Sequence, residues 1–265
     1  MLNQAMEMRV QELADPPCHR SAEKPAHENR VEFQVIGEFA MFADPLTRLG
    51  GEKYSYPIPT YEALKGILSA VYWKPTIIWY IDAVRIMNPI QMDTMGILLK
   101  NYHGGSELSY NTYLRNVCYQ VRAHFEWNLN RPELAQDRNE NKHHNIALRK
   151  IKCGGRRDTF LGTRDAQGYV LPCEFGNGEG AYDMIPESNF GLMYHGITYP
   201  DEAYSPDTEG MMTANFWYPV MKNGIITFQR PEECPHHKPI RKMEMKRFGA
   251  SLNNFSGLAE FEGGS

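Results

Sequence analysis

From Val31 the chain alternates: Val31, Phe33 and Val35 are separated by Glu32, Gln34 and Ile36, and Gly37 follows. A two-residue period of this kind predicts a strand with one buried face. At Thr60 the period lengthens. Tyr61, Leu64, Ile67, Leu68, Val71 and Tyr72 recur at helical spacing, with Thr60 suited to cap the first turn and Pro75 to stop the last. Thr76 to Met87, rich in Ile, Val and aromatic residues, reads as a second strand. The clearest alternation runs from Val117 to Trp127. Val117, Tyr119, Val121, Ala123, Phe125 and Trp127 share one face, and Cys118, Gln120, Arg122, His124 and Glu126 share the other. The apolar set is assigned to the core, and the polar set to solvent or a ligand. A helix from Lys142 to Lys152 is expected to stop at Gly154-Gly155, with Arg156 to Gly162 following as a strand.

Strand, helix, strand, strand, helix, strand is the ferredoxin-like order, which RNA-recognition domains share. Beyond residue 165 the pattern changes to short strand signals at Tyr169–Phe175, Phe190–Ile197, Met212–Val220 and Ile225–Phe228. Asn223-Gly224, between two apolar runs, predicts a two-residue hairpin turn. The expected fold class is α+β. An N-terminal extension over 1–30, with scattered prolines and charges, is expected to be disordered. A ferredoxin-like (RRM-like) domain then covers 31–165, and a smaller antiparallel β domain with a basic C-terminal stretch covers 166–265.

Composition narrows the classes. The 265 residues are 42% hydrophobic and 23% charged, which supports a packed core and excludes wholesale disorder. The longest apolar candidate, Ile67 to Met87, is broken by Lys74, Pro75, Asp82 and Arg85, so no membrane span or membrane partner is expected. The N-terminus lacks the apolar core of a secretory signal. Five widely spaced cysteines without a C-x-x-C pair fit a reducing cytoplasm better than a disulfide framework or a zinc ribbon.

Charge is more informative by position than in total. The net charge is −4, yet Asn141 to Arg164 holds Lys142, Arg149, Lys150, Lys152, Arg156, Arg157 and Arg164 against the single acid Asp158. From Asp165 to Met221 there are nine acids and no lysine or arginine, and a second basic stretch follows at Lys238, Arg241, Lys242, Lys246 and Arg247. An acidic protein with one dense basic segment fits a localised polyanion site, and equally a solvated helix face.

No P-loop, H-E-x-x-H or G-x-S-x-G motif is present, and Gly176, Gly178 and Gly180 read as a hairpin tip rather than a phosphate cradle. Cys234, His236 and His237 lie too close together, without a second pair, to predict a zinc site. No metal or cofactor is expected. What remains is Lys142-His143-His144 at a helix start, where unsatisfied N–H groups and the dipole favour anions. Lysine and histidine are the parts needed to cleave RNA without metal: a base for the 2′-hydroxyl, a cation for the phosphorane and an acid for the leaving 5′-oxygen. The same residues also fit an ordinary polar helix start with two solvated histidines.

Several longer motifs resemble one family. They are Phe42-Ala43-Asp44-Pro45, Gly50-Gly51-Glu52-Lys53 with Ser55-Tyr56, Pro59-Thr60-Tyr61-Glu62-Ala63-Leu64-Lys65-Gly66-Ile67 and Tyr72-Trp73-Lys74-Pro75. With them go Asp137-Arg138-Asn139-Glu140-Asn141-Lys142-His143, Gly154-Gly155-Arg156-Arg157-Asp158 with Phe160-Leu161-Gly162, and Pro172-Cys173-Glu174-Phe175. From about Val31 to Lys246 the chain resembles the Cas-five CRISPR-associated proteins of subtype I-C, whose members process CRISPR precursor RNA themselves. The resemblance implies a RAMP-type ferredoxin-like domain and a catalytic group made of Tyr72, Lys142 and His143. Read from the residues alone, Tyr72 is only a core aromatic. The family further implies cleavage within CRISPR repeat hairpins by 2′-hydroxyl attack, leaving a 2′,3′-cyclic phosphate. The 5′ handle of the mature crRNA would then be held in a surveillance complex with a Cas-seven backbone and a Cas-eight large subunit.

The leader precedes the point where family members usually begin, and His144 directly after His143 leaves open which histidine acts. Arg149, Lys150, Lys152, Arg156 and Arg157 are the expected RNA-binding residues. A contrasting reading is a non-catalytic RNA-binding cap that holds a guide cut by another nuclease; a neighbouring Cas-six gene would favour it. Contact with double-stranded target DNA is compatible with either, because basic surface binds both polyanions.

Overall fold

The computed structural model describes residues 29–43, 52–100 and 104–245. The expectations for the leader up to residue 28, for Asp44-Pro45 and Gly50-Gly51, and for Lys246 and Arg247 lie outside the described residues. In chain order the elements are β1 (Val31–Ala40), α1 (Tyr61–Val71), β2 (Ile77–Ile86), β3 (Met92–Lys100), β4 (Ser106–Trp127) and α2 (Glu140–Lys152). They continue as β5 (Thr159–Phe160), β6 (Gln167–Pro172), β7 (Ser188–Asn189), β8 (Met193–Thr198), β9 (Met211–Trp217), β10 (Val220–Lys222), β11 (Ile225–Thr227) and β12 (His236–Lys242). The protein is α+β, dominated by antiparallel sheet. No described helix is long and apolar enough to cross a membrane.

A nine-stranded sheet runs β5-β6-β1-β4-β2-β11-β10-β7, with β3 paired to β4, and a second sheet runs β12-β9-β8. Strands from both sides of residue 165 share the larger sheet: β6 pairs with β1, and β11 pairs with β2. Its core face carries Val31, Phe33 and Val35 from β1, Ile77, Trp79 and Ile81 from β2, and Val121, Ala123 and Phe125 from β4. Both helices pack on that face, α1 through Tyr61, Leu64, Ile67, Leu68 and Val71, and α2 through His143, Ala147 and Ile151. Thr60 caps α1 as its position predicts, accepting from the Ala63 amide. Asn223 and Gly224 both take positive φ (48° and 76°) and join β10 to β11, the left-handed pair that a tight hairpin requires.

Three features differ from the pattern-based expectation, each for a physical reason. The strand expected from Val117 begins at Ser106, because β3 extends the pairing along β4 from Met92–Leu114 to Lys100–Ser106. Most of β3 is exposed on both faces, so it carries no alternation to read. Arg156–Gly162 pairs only at Thr159–Phe160, since Gly162 turns the chain at φ 95°. A Cβ there would stand 1.9 Å from the Met41 carbonyl oxygen, which leaves room for glycine alone. Finally, the polar face of β4 is covered rather than solvated. The Gly176 amide donates to Gln120 Oε1, Arg85 holds the Gly178 carbonyl and the Asp183 carboxylate, and the Arg122 guanidinium lies 4.4 Å over the Phe175 ring. The glycine run thus folds back over the sheet.

Candidate functional site

Two chain reversals bring the candidate residues together. At the end of α1, the Tyr72 amide caps the helix on the Leu68 carbonyl, and the Tyr72 carbonyl accepts from Trp79 Nε1 at 2.7 Å. This fixes the backbone from which the tyrosine ring extends. Across the core face, a 3₁₀ turn over Pro132–Asp137 leads into α2, whose N-cap Asn139 accepts from the Lys142 amide. The helix starts at Glu140, two residues before the expected Lys142, so Lys142 lies in its first turn.

The ring of His143 is fully buried and bonded at both nitrogens. Nε2 lies 2.8 Å from the Asp137 carbonyl oxygen, and Nδ1 lies 2.7 Å from the Tyr72 hydroxyl. A carbonyl only accepts, so Nε2 carries the proton of the neutral ring and Nδ1 accepts from tyrosine. Trp127 and Phe125 close around the imidazole edge-on, at centroid distances of 5.7 and 6.2 Å. Burial, reinforced by the negative Asp137, raises the Tyr72 hydroxyl above its ordinary pKa, while the positive charge of Arg156 opposes the rise. Tyr72 therefore stays protonated at neutral pH and serves as a donor.

Lys142, half exposed, places Nζ 2.5 Å from Asp137 Oδ1, and Thr76 donates to Asp137 Oδ2 at 2.9 Å. The lysine hydrogen bond is the main influence holding the Asp137 carboxyl below its ordinary range. His144 points elsewhere: its Nε2 bonds the Arg30 carbonyl. The structure thus brings Tyr72, Lys142 and His143 into one cluster and keeps His144 out of it. Sequence reasoning missed the centre of that cluster, Asp137. Asp137 lies inside a quoted motif, but its part depends on its main-chain oxygen as much as on its carboxylate.

The basic residues separate into two groups. Lys152, Arg156 and Arg157 line a groove of about 470 Å³ together with Asp158, Tyr169 and Leu171, whereas Arg149 and Lys150 are not among its lining residues. Gly155, at φ 113°, lets this loop turn against Val71, one residue before Tyr72. The groove and the trio therefore adjoin, with Arg156 near enough to act electrostatically on the Tyr72 hydroxyl. Arg156 and Arg157 are exposed and form no ion pair among the described residues. Among the described residues no group of three or more His, Cys, Asp or Glu is placed to hold a metal ion.

A family model described as CRISPR-associated protein (Cas_Cas5) matches residues 31–229. The chain is 25% identical over 234 residues to the CRISPR pre-crRNA endoribonuclease Cas5d of Mannheimia succiniciproducens, covering 75% of this chain and 94% of that protein. It is 29% identical over 156 residues to the protein of the same name from Thermus thermophilus, covering 54% of this chain and 64% of the relative. A crystal structure of a CRISPR-associated protein superimposes with a TM-score of 0.65 and 33% identity, over 80% of this chain and all of the other. With an α+β architecture shared with that structure and a match from β1 to just beyond β11, the chain belongs to the Cas-five family of CRISPR-associated proteins, in its subtype I-C branch.

Proposed function

We propose that this chain is a metal-independent endoribonuclease that cleaves the repeat hairpins of CRISPR precursor RNA and then retains the 5′ handle of the mature crRNA. One observation carries the reading: the 2.7 Å hydrogen bond from the Tyr72 hydroxyl to His143 Nδ1, with the Lys142 ammonium tied to the same site through Asp137. Two relatives named as pre-crRNA endoribonucleases support it. In this reading the 2′-hydroxyl proton passes to the Tyr72 oxygen as the tyrosine proton passes to Nδ1. The freed 2′-oxygen attacks phosphorus, and Lys142 balances the phosphorane charge. The 5′-oxygen departs with a proton drawn from water, leaving a 5′-hydroxyl and a 2′,3′-cyclic phosphate, and the imidazolium returns its extra proton to solvent through Tyr72. The fully buried His143 then acts through tyrosine rather than by touching RNA.

The sheet order β6-β1-β4-β2 with both helices on one face supports a ferredoxin-like reading of the N-terminal part, with β6, just beyond the expected boundary at 165, as its fourth strand. The groove of Lys152, Arg156 and Arg157 beside Tyr72 is the proposed RNA path, with Arg149 and Lys150 as outlying contacts. Assembly with a Cas-seven backbone and a Cas-eight large subunit, and contact of target duplex with basic surface, extend the same proposal.

The test is incubation of the purified chain with its cognate repeat RNA in EDTA, with mapping of product ends. Cleavage to a cyclic phosphate is expected, and a 2′-deoxy substitution at the scissile nucleotide should abolish cutting while leaving binding intact. Cutting of the deoxy substrate would overturn the mechanism. Binding without cutting of the natural RNA would make the chain a cap.

A further inference from the structure

We propose that Asp137 is a positioning residue of the cleavage site, whose carboxylate, braced by Thr76, holds the Lys142 ammonium in register with the Tyr72–His143 pair. The inference rests on the endoribonuclease reading and adds to it a fourth residue that need not touch RNA.

Three contacts converge on Asp137. Its Oδ1 accepts from Lys142 Nζ at 2.5 Å, its Oδ2 accepts from Thr76 Oγ1 at 2.9 Å, and its main-chain oxygen accepts from His143 Nε2 at 2.8 Å. Oδ2 also stands 3.5 Å from His143 Nε2. Thr76 begins the chain's return from α1 into β2, and Asp137 ends the 3₁₀ turn before α2. The residue therefore ties the tyrosine-bearing segment to the lysine–histidine segment. A lysine on a flexible stem loses rotamer freedom when it is aligned, and a fixed counter-charge meets that loss before RNA arrives. Lys142 is half exposed, so the tie is weak enough for a phosphate to share the ammonium.

Asp137→Asn keeps the main-chain carbonyl and the size of the side chain while removing the charge. It should slow single-turnover cleavage at saturating repeat RNA by roughly 10- to 100-fold, the scale of an ångström-level misplacement. Affinity for that RNA should hold or rise, because a negative charge beside the phosphates is gone. A purely structural role would instead weaken binding, stability and rate together. In a Lys142→Ala background, Asp137→Asn should have little further effect, since both changes act on one interaction. A wild-type rate in Asp137→Asn, or a full multiplicative loss on top of Lys142→Ala, overturns the proposal. If the wild type does not cleave, the endoribonuclease reading has failed separately, and the ¹⁵Nζ resonance of Lys142 decides instead. A slowly exchanging ammonium signal that disappears in Asp137→Asn supports the tie, and a signal unchanged by the substitution refutes it.

Discussion

At the scale of single residues, His143 is a core side chain to which the proposed mechanism assigns a proton-accepting part. Its ring is sealed by Trp127, Phe125 and Tyr72, yet both nitrogens are in defined hydrogen bonds. Tyr72→Phe keeps the ring and deletes only the hydroxyl that links the pair, so it should slow cleavage by about 10²- to 10⁴-fold, the usual contribution of a general acid or base, with little change in melting temperature. Lys142→Ala should have a comparable effect on rate. His143→Ala should lose both rate and stability, because it also empties a buried site. His144→Ala serves as a control with near-normal rate, since its ring bonds Arg30 and not tyrosine. Rates and melting curves measured side by side on the four variants check this. Loss of cleavage in His144→Ala with retention in His143→Ala would move the site by one residue.

At the scale of elements, the loop from Lys152 to Asp158 is set by its two glycines and presents exposed arginines along the groove beside β6. Charge reversal at Arg156 and Arg157 should weaken repeat-RNA binding and flatten its dependence on salt, because fewer counterions are released per complex. Filter binding across a salt series reads the slope. An unchanged slope would place the RNA on β12 and its lysines. Local chemistry made much of this frame legible in sequence: the Thr60 cap, the Gly154-Gly155 stop and the Asn223-Gly224 turn each need only their neighbours. Pairing partners were less legible. Tyr169–Phe175 reads as a strand, but nothing in its residues says that it pairs with β1, as far as Pro172, rather than within a separate β unit. The site was half legible for the same reason. Lysine and histidine announce reactive chemistry by type, whereas Tyr72 resembles any core aromatic, and Asp137 acts partly through an atom that every residue has.

At the scale of the molecule, α1 joins the two sheets. Its Tyr61 ring stacks on His195 of β8 at 4.3 Å, and Lys65 pairs with Glu202. His195 is fully buried, donates from Nε2 to the Gln229 carbonyl, and is held neutral by burial with its pKa pushed down to about 3. An unfolded chain binds a proton at this position near pH 6.5 and the folded chain does not until about 3. Stability from this group is therefore complete above pH 6.5 and is lost progressively as pH falls toward 3. Asp137, also depressed, contributes in the same direction at lower pH, where its carboxylate protonates. Melting temperatures should fall as pH drops from 7 to 4, and His195→Gln, which cannot titrate, should show a shallower fall despite a lower starting point. Parallel curves for the two proteins would show that His195 does not govern acid sensitivity.

The hairpin of β3 and β4 matters for colloidal behaviour as well. Leu98 and Leu108 are 65% and 50% exposed, Leu99 and Tyr110 are nearly as open, and among the described strands β3 pairs with β4 alone. A bare apolar strand edge of this kind adheres to other surfaces and to copies of itself. The isolated chain should therefore be retained strongly on a hydrophobic-interaction column and should precipitate early as ammonium sulfate is raised. Leu98→Lys with Leu108→Thr should elute sooner and stay dissolved longer, with secondary structure unchanged by circular dichroism. Handling of the purified protein, its concentration limit and its shelf life should follow from these few side chains rather than from the net charge of −4.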